Sequence, residues 1–242
     1  MADLAIATIV IVRRSQARVA HCDASLPKGL AELLWREPNA LVDRGEPLRC
    51  VGARRTVRLQ WGSQRFVLKH YVEPTRRHAL KQAVQPSRAW STWSAVHRLA
   101  NAGIATPRPV ACVENRWACF RGDSFLMYPY VEGRTVRSYF ARQEPAAQST
   151  NEILWRQLNE LWHRLRQLRV SLADTNLGNF IVAPDGQLWV IDLDKARFHR
   201  LASTAGREQQ RGWRQLLRSA AKCQLPNHTP RERHLASWAT AR

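Results

Sequence analysis

Apolar residues recur at steps of three and four between positions 151 and 168, where Leu154, Leu158, Leu161, Leu165 and Leu168 form one stripe. Trp155 and Trp162 widen it, and the spacing predicts an amphipathic helix whose leucines belong to a core. Beyond it the period shortens. Asn179-Phe180-Ile181-Val182 and Leu188-Trp189-Val190-Ile191 are β-branched and aromatic runs on either side of Ala183-Pro184-Asp185-Gly186-Gln187. Two such runs around a Pro/Gly turn predict a hairpin.

Upstream, residues 49–71 read as strand, turn, strand, with Gly62-Ser63 between alternating segments and an earlier turn at Gly52. Residues 87–103 predict a helix capped by Ser87 and ended by Gly103, with Trp93, Val96 and Leu99-Ala100 facing inward. Phe125 to Gly133 fits an edge strand running into a hinge. At the N-terminus the apolar run 4–12 predicts a buried or edge strand. It is shorter than the ~20 residues a bilayer crossing needs, and its basic pair Arg13-Arg14 follows it, the reverse of a secretory signal. Short helices are expected at 27–36 and 207–222.

Composition narrows the field. The chain has 242 residues, 45% of them apolar, enough for one sizeable core or two small lobes. Its five cysteines are scattered without a C-x-x-C pair, which argues against a disulfide framework or zinc ribbon and for a reducing cytoplasm. A net charge of +19 predicts attraction to polyanions: nucleic acid, an anionic membrane face or a phosphorylated glycolipid.

The predicted hairpin carries the candidate chemistry. It would bring Asp174 and Asn179, at its entrance, towards Asp192 at its exit, with Asp194 close behind. Three oxygen-bearing side chains at one edge suit a hard cation such as Mg²⁺, which shares its remaining coordination with phosphates and water.

Asp174-Thr175-Asn176-Leu177-Gly178-Asn179 and Ile191-Asp192-Leu193-Asp194 resemble the catalytic and metal loops of the protein-kinase-like superfamily. Within it they are similar to the bacterial lipopolysaccharide kinases that phosphorylate Kdo or heptose, and residues 87–114 extend the likeness. The resemblance implies an α+β, protein-kinase-like two-lobed fold with a small β-rich N-lobe and a reduced helical C-lobe. Residues 1–48 would be an extension of strand plus short helix, 49–131 the N-lobe, and 132–242 the C-lobe with a basic tail. ATP and Mg²⁺ are the implied cofactors, and a sugar hydroxyl of the lipopolysaccharide core the acceptor.

Site roles follow from the same likeness. Asp174 and Lys69 would be catalytic, Lys69 closing the strand Phe66-Val67-Leu68-Lys69 as in the kinase V-A-I-K element. Asn179 and Asp192 would hold the metal, with Asp194 and Asn176 as accessories. Gly52, Arg54 and Arg55 would lie over the phosphates. Met127, Tyr128 and Tyr130 would flank an adenine, bonded to backbone between Met127 and Tyr130. The chain also departs from the pattern. The helix at 87–103 offers Ser91, Thr92 or Ser94 but no Glu to pair with Lys69, and Leu172 stands where kinases often place the loop His. Either another carboxylate holds Lys69, Asp192 being one candidate, or activity is reduced.

Two other readings therefore stand beside a kinase. One is a catalytically impaired pseudokinase that binds ligand. The other is a basic nucleic-acid-binding protein, against which the chain shows no zinc finger, RNP-type aromatic motif or heptad-linked basic region. A cytoplasmic protein in peripheral contact with the anionic inner leaflet is the expected setting, since each basic residue near such a surface contributes about 1 kcal/mol.

Overall fold

A computed structural model describes residues 10–52, 54–72, 86–117, 120–141 and 147–223. The start of the predicted N-terminal strand, part of the cationic segment before residue 86, Ala53, Cys119 and the basic tail lie outside them. The chain divides into two units: residues 1–131 with 193–196, and residues 132–192 with 197–242.

The first unit is built on an antiparallel sheet of β1 (Val10–Arg14), β2 (Arg18–Asp23), β3 (Glu46–Val51), β4 (Arg54–Trp61), β5 (Gln64–Tyr71), β6 (Ala111–Trp117) and β7 (Phe120–Pro129). Their order in space is β1-β2-β6-β7-β5-β4-β3. The short loops at Gly52 and Gly62 force neighbouring strands to pair, and both glycines have φ of 57°. Helices α1 (Lys28–Arg36) and α2 (Pro38–Arg44) cover one face of the sheet. Leu30, Leu34, Leu41 and Val42 pack there against Val57, Leu59, Phe66, Leu68, Val113 and Met127. The N-terminal segment thus supplies two strands and two helices to this unit, where the sequence pattern predicts one strand and one helix.

The opposite face takes α3 (Arg88–Asn101), whose Trp93, Val96 and Leu99 are buried. The expected cap is present, Ser87 Oγ accepting from the Trp90 N–H at 3.0 Å. One expectation is corrected. β7 lies between β5 and β6 in the middle of the sheet and not at its edge. Phe125, Leu126 and Met127 are at most 1% exposed, a continuous apolar run that fits a strand covered on both faces. The edges are β1, all of whose residues are exposed, and β3.

The second unit is mainly helical. It contains β8 (Arg134–Thr135), α4 (Val136–Phe140), α5 (Ala147–Gln167), β9 (Val170–Leu172), β10 (Phe180–Val182), β11 (Leu188–Val190) and α6 (Ala202–Ala221). β12 (Ala196–Phe198) begins at the division and pairs with β9. Helix α5 is the predicted leucine-striped helix, and Leu154, Leu158, Leu161 and Leu165 are buried, whereas Leu168, the last of the predicted stripe, lies past the helix end and is exposed. Aromatic rings tie it to its neighbours: Trp162 and Trp155 meet Trp213 of α6 edge-on, at 5.0 and 6.3 Å between centroids. Phe140 of α4 stacks on Trp155 at 5.2 Å. Such contacts each add ~0.5–1.5 kcal/mol beyond the area they bury.

The predicted hairpin forms, with Phe180 opposite Val190 and Val182 opposite Leu188, and β8 adds a third strand. Gly133 makes that addition possible. Its φ is 142°, and a Cβ there would run into the Val182 carbonyl oxygen. Gly133→Ala is expected to destabilise the protein by about 2–3 kcal/mol, read as a lowered midpoint in urea unfolding.

Among the described residues Cys22, Cys50, Cys112 and Cys223 are free thiols. Burial pushes the Cys22 thiol up to about 11, so it is unreactive near neutral pH.

Candidate active site

In the second unit the loop after β9 is held in place from three sides. Asp174 is half-buried, and its Oδ1 accepts from Asn176 Nδ2 at 2.9 Å. Asn179, 6% exposed, donates Nδ2 to the backbone carbonyl of Asp174 at 3.0 Å. Asn176 Oδ1 accepts from the Gly178 N–H at 2.9 Å and from Arg137 Nη2 at 3.3 Å. Asn176, expected as an accessory, is therefore the hub of the loop. Asparagine and aspartate side chains suit this work because they bond backbone groups two residues away.

Helix α6 supports the loop from beneath. Thr175, fully buried, donates to the Gly212 carbonyl at 2.6 Å, and Ser219 Oγ accepts from the Leu177 N–H at 3.1 Å. A Cβ on Gly212 would lie 3.0 Å from the Leu172 carbonyl oxygen, so a glycine lets the helix approach. Gln209 donates through Nε2 to the carbonyls of Leu165 and Val170, at 3.0 and 2.8 Å. It thereby fixes the turn from α5 into β9. Leu172 is buried, while its neighbour Ser171 bonds His199 at 2.7 Å. Reading along the sequence missed Gln209, Thr175 and Gly212, because a helix surface gives no sign of which loop it will meet.

At the hairpin's far end the Ile191 N–H donates to the Asn179 carbonyl at 2.9 Å, so the entrance and exit strands close on each other at this point. Asp192 follows with φ of 62°, a left-handed conformation that aspartate tolerates better than most residues. Its backbone turns out of the ladder one residue after the last pair.

Lys69 and Asp194 lie in the first unit. Lys69 Nζ donates to Asp194 Oδ1 at 2.8 Å, and Tyr71 Oη donates to Asp194 Oδ2 at 2.9 Å. The Lys69 and Asp194 side chains are only 13% and 14% exposed. Nζ also lies 5.6 Å from the centre of the Tyr128 ring, within reach of a cation–π attraction. The carboxylate that α3 does not supply to Lys69 is thus found in Asp194. Sequence reasoning named Asp194 only as an accessory and offered Asp192 for the pairing.

The remaining expected residues fare differently. Gly52 is exposed, as is Arg55, whose guanidinium pairs with Asp43 at 3.1 Å; Arg54 is half-buried. Met127 needs correction. Its side chain is fully buried in the core, and its carbonyl accepts from the Val110 N–H at 2.8 Å. The Tyr130 N–H donates to the Arg65 carbonyl at 2.9 Å. The Met127 carbonyl and the Tyr130 N–H are therefore both engaged within the unit. Tyr128 pairs with Val67 across the ladder.

Among the described residues no three His, Cys, Asp or Glu side chains converge as a metal cluster. Any cation here would have few protein ligands. Asn179 fits that role, since its Nδ2 is engaged and its Oδ1 is the atom left to face a cation; Asp192 would be the second.

The model of the lipopolysaccharide kinase (Kdo/WaaP) family matches residues 32–234. Two 3-deoxy-D-manno-octulosonic acid kinases are similar in sequence. The one from Pasteurella multocida is 28% identical over 139 residues, 53% of this chain and 55% of that protein. The one from Mannheimia succiniciproducens is 23% identical over 117 residues, 47% of each. The alignments thus span about half the length of these relatives. A solved structure of WaaP in complex with acyl carrier protein shares the fold, with a TM-score of 0.63 at 22% identity over 88% of this chain and 87% of that one. The chain belongs to the lipopolysaccharide kinase (Kdo/WaaP) family and has its α+β, kinase-like fold.

Two substitutions test the supports described above. Gln209→Leu removes the donor from two buried carbonyls and should cost about 2–4 kcal/mol, measured by thermal and urea unfolding. Tyr71→Phe removes one hydrogen bond to a carboxylate and should cost about 2 kcal/mol by the same assay.

Proposed function

We propose that this member of the lipopolysaccharide kinase (Kdo/WaaP) family transfers the γ-phosphoryl group of ATP to a hydroxyl of a lipopolysaccharide-core sugar, Kdo or heptose. The observation that carries the reading is the bonded loop in which Asn179 grips the Asp174 carbonyl and Asn176 orients the Asp174 carboxylate. This loop and the hairpin after it fall inside the stretch matched to the family.

Asp174 takes the proton of the acceptor hydroxyl as its oxygen bonds to phosphorus and the bond to ADP breaks. Asn176 holds Oδ1 in place, leaving Oδ2 free to receive the hydroxyl. Asn179 Oδ1 and an Asp192 carboxylate oxygen would hold Mg²⁺, which supplies positive charge beside the phosphates when bound. Lys69, presented by β5 and positioned by Asp194, binds the α- and β-phosphates. Gly52 lies in the turn between β3 and β4, while Arg54 and Arg55 are already paired at the start of β4, so the turn's backbone N–H groups and the two cationic side chains would meet phosphate oxygens. An adenine would sit beside Tyr128.

The net charge of +19 suits an acceptor carried on an anionic glycolipid at the inner leaflet. Among the described residues no helix is long and apolar enough to cross a membrane. A pseudokinase reading drew on the missing helix glutamate, and the Lys69–Asp194 pair weakens that motive.

The test is phosphate transfer from Mg-ATP to purified core glycolipids. Asp174→Asn should lower kcat by about 10²–10⁴-fold while leaving unfolding unchanged. Equal product from wild type, Asp174→Asn and Asp192→Asn would refute the assigned roles.

A further inference from the structure

A polar cavity lies on the first unit, on the sheet face that also carries α3. Register places its lining residues. Arg14 of β1 is opposite Val19 of β2, and Val19 is opposite Glu114 of β6. His21 lies two residues beyond Val19, and Arg116 of β6 is opposite Arg121 of β7. Directly opposed residues, and those two apart, share a face. Pro86 and Trp90, at the start of α3, close the space, whose volume is about 390 Å³. That is the small end of the ~300–1,000 Å³ range of ligand pockets.

Three guanidinium groups, Arg14, Arg116 and Arg121, and a single carboxylate, Glu114, line the cavity. Three positive charges less one negative leaves an excess of two. Burial lowers the His21 pKa, so the imidazole contributes hydrogen bonding without charge at neutral pH. The N-terminal end of α3 adds the partial positive charge of its unpaired N–H groups.

Glu114 is 3% exposed. One of its oxygens lies 3.3 Å from Arg116 Nη2 and the other 3.8 Å from Arg121 Nη1. Oε1 has no hydrogen-bond partner, and neither has the buried Nε of Arg116. A buried acceptor and a buried donor left unmatched are costly. Beside them the Trp90 ring leans on His21 at 4.4 Å, an aromatic wall.

We propose that this cavity binds a phosphate monoester with a hydroxylated body of about monosaccharide size. The dianionic phosphate matches the excess of two charges on Arg14, Arg116 and Arg121. A ligand hydroxyl donates to Glu114 Oε1, and the body packs on Trp90. A free phosphate would leave Glu114 unmatched and repelled, so the hydroxylated body is the selective part. The site is separate from the Asp174 loop, and its occupancy does not depend on phosphoryl transfer.

Calorimetric titration at ~0.15 M salt tests it, with inorganic phosphate, glucose and glucose 6-phosphate as probes, and phosphatidylcholine vesicles carrying a phosphoinositide as the membrane-borne counterpart. Glucose 6-phosphate should bind more tightly than phosphate, and glucose should not bind. Arg121→Gln and Arg116→Gln should each weaken the sugar phosphate about tenfold or more. Exposed Arg207 of α6 serves as control, and Arg207→Gln should change nothing. Glu114→Gln should tighten inorganic phosphate yet lower the ratio of sugar-phosphate to phosphate affinity, a change that mere loosening of the fold would not produce. Arg121-dependent binding of the soluble probe assigns a free ligand, and Arg121-dependent binding of vesicles alone assigns a headgroup. Affinity indifferent to Arg116, Arg121 and Glu114, or equal losses with Arg207→Gln, would overturn the proposal.

Discussion

A carboxylate withdrawn from water must be met by a cation and by hydrogen-bond donors, or it will not stay ionised there. Asp194 satisfies both demands, with Lys69 on one oxygen and Tyr71 on the other. Lys69 has the complementary problem, an ammonium group at the end of an apolar strand in the middle of a packed sheet. The pair is better understood as mutual accommodation than as a source of stability, because desolvation takes back much of what the attraction between the charges supplies. What it does secure is position. A lysine tethered at 2.8 Å and flanked by the Tyr128 ring has few rotamers left, so its charge is held in one place and orientation.

The Asp174 loop is positioned by different means. Among the described residues no charge pair anchors it. Amide and hydroxyl side chains bond backbone, and the whole loop rests on α6 through Thr175, Leu177 and the bare face of Gly212. Helix α6 in turn is fixed by Trp213 against Trp155 and Trp162 of α5. The loop's geometry is therefore set by an aromatic core, and the polar residues refine it.

This division explains what could be read from the chain. The α5 stripe, the hairpin and the Ser87 cap depend on residues within a few positions of one another, and local pattern is enough for them. Asp174, Asn176 and Asn179 stood out for the same reason. The partner of Lys69 lies 125 positions away, and no spacing announces it. Gln209 reaches back 44 and 39 positions to two carbonyls, and a glutamine in an Arg-rich helix looks like surface. Met127 misled because an apolar residue in a strand fits both a core and an adenine wall. Only the pairing of both its neighbours, β5 and β6, decides that it is core. The role of the first 48 residues was hidden likewise, since a single short helix gives no hint that its leucines roof a sheet.

The sheet unit is discontinuous in the chain, taking back residues 193–196 after the second unit has intervened. During synthesis Lys69 leaves the ribosome long before Asp194 is made. The nascent sheet must then hold an ammonium group without the carboxylate that later receives it, while the helices of the second unit are already emerging. Completion of the Lys69–Asp194 pair is thus a late event in the life of the polypeptide, timed by translation and not by the assembly of the strand that bears the lysine.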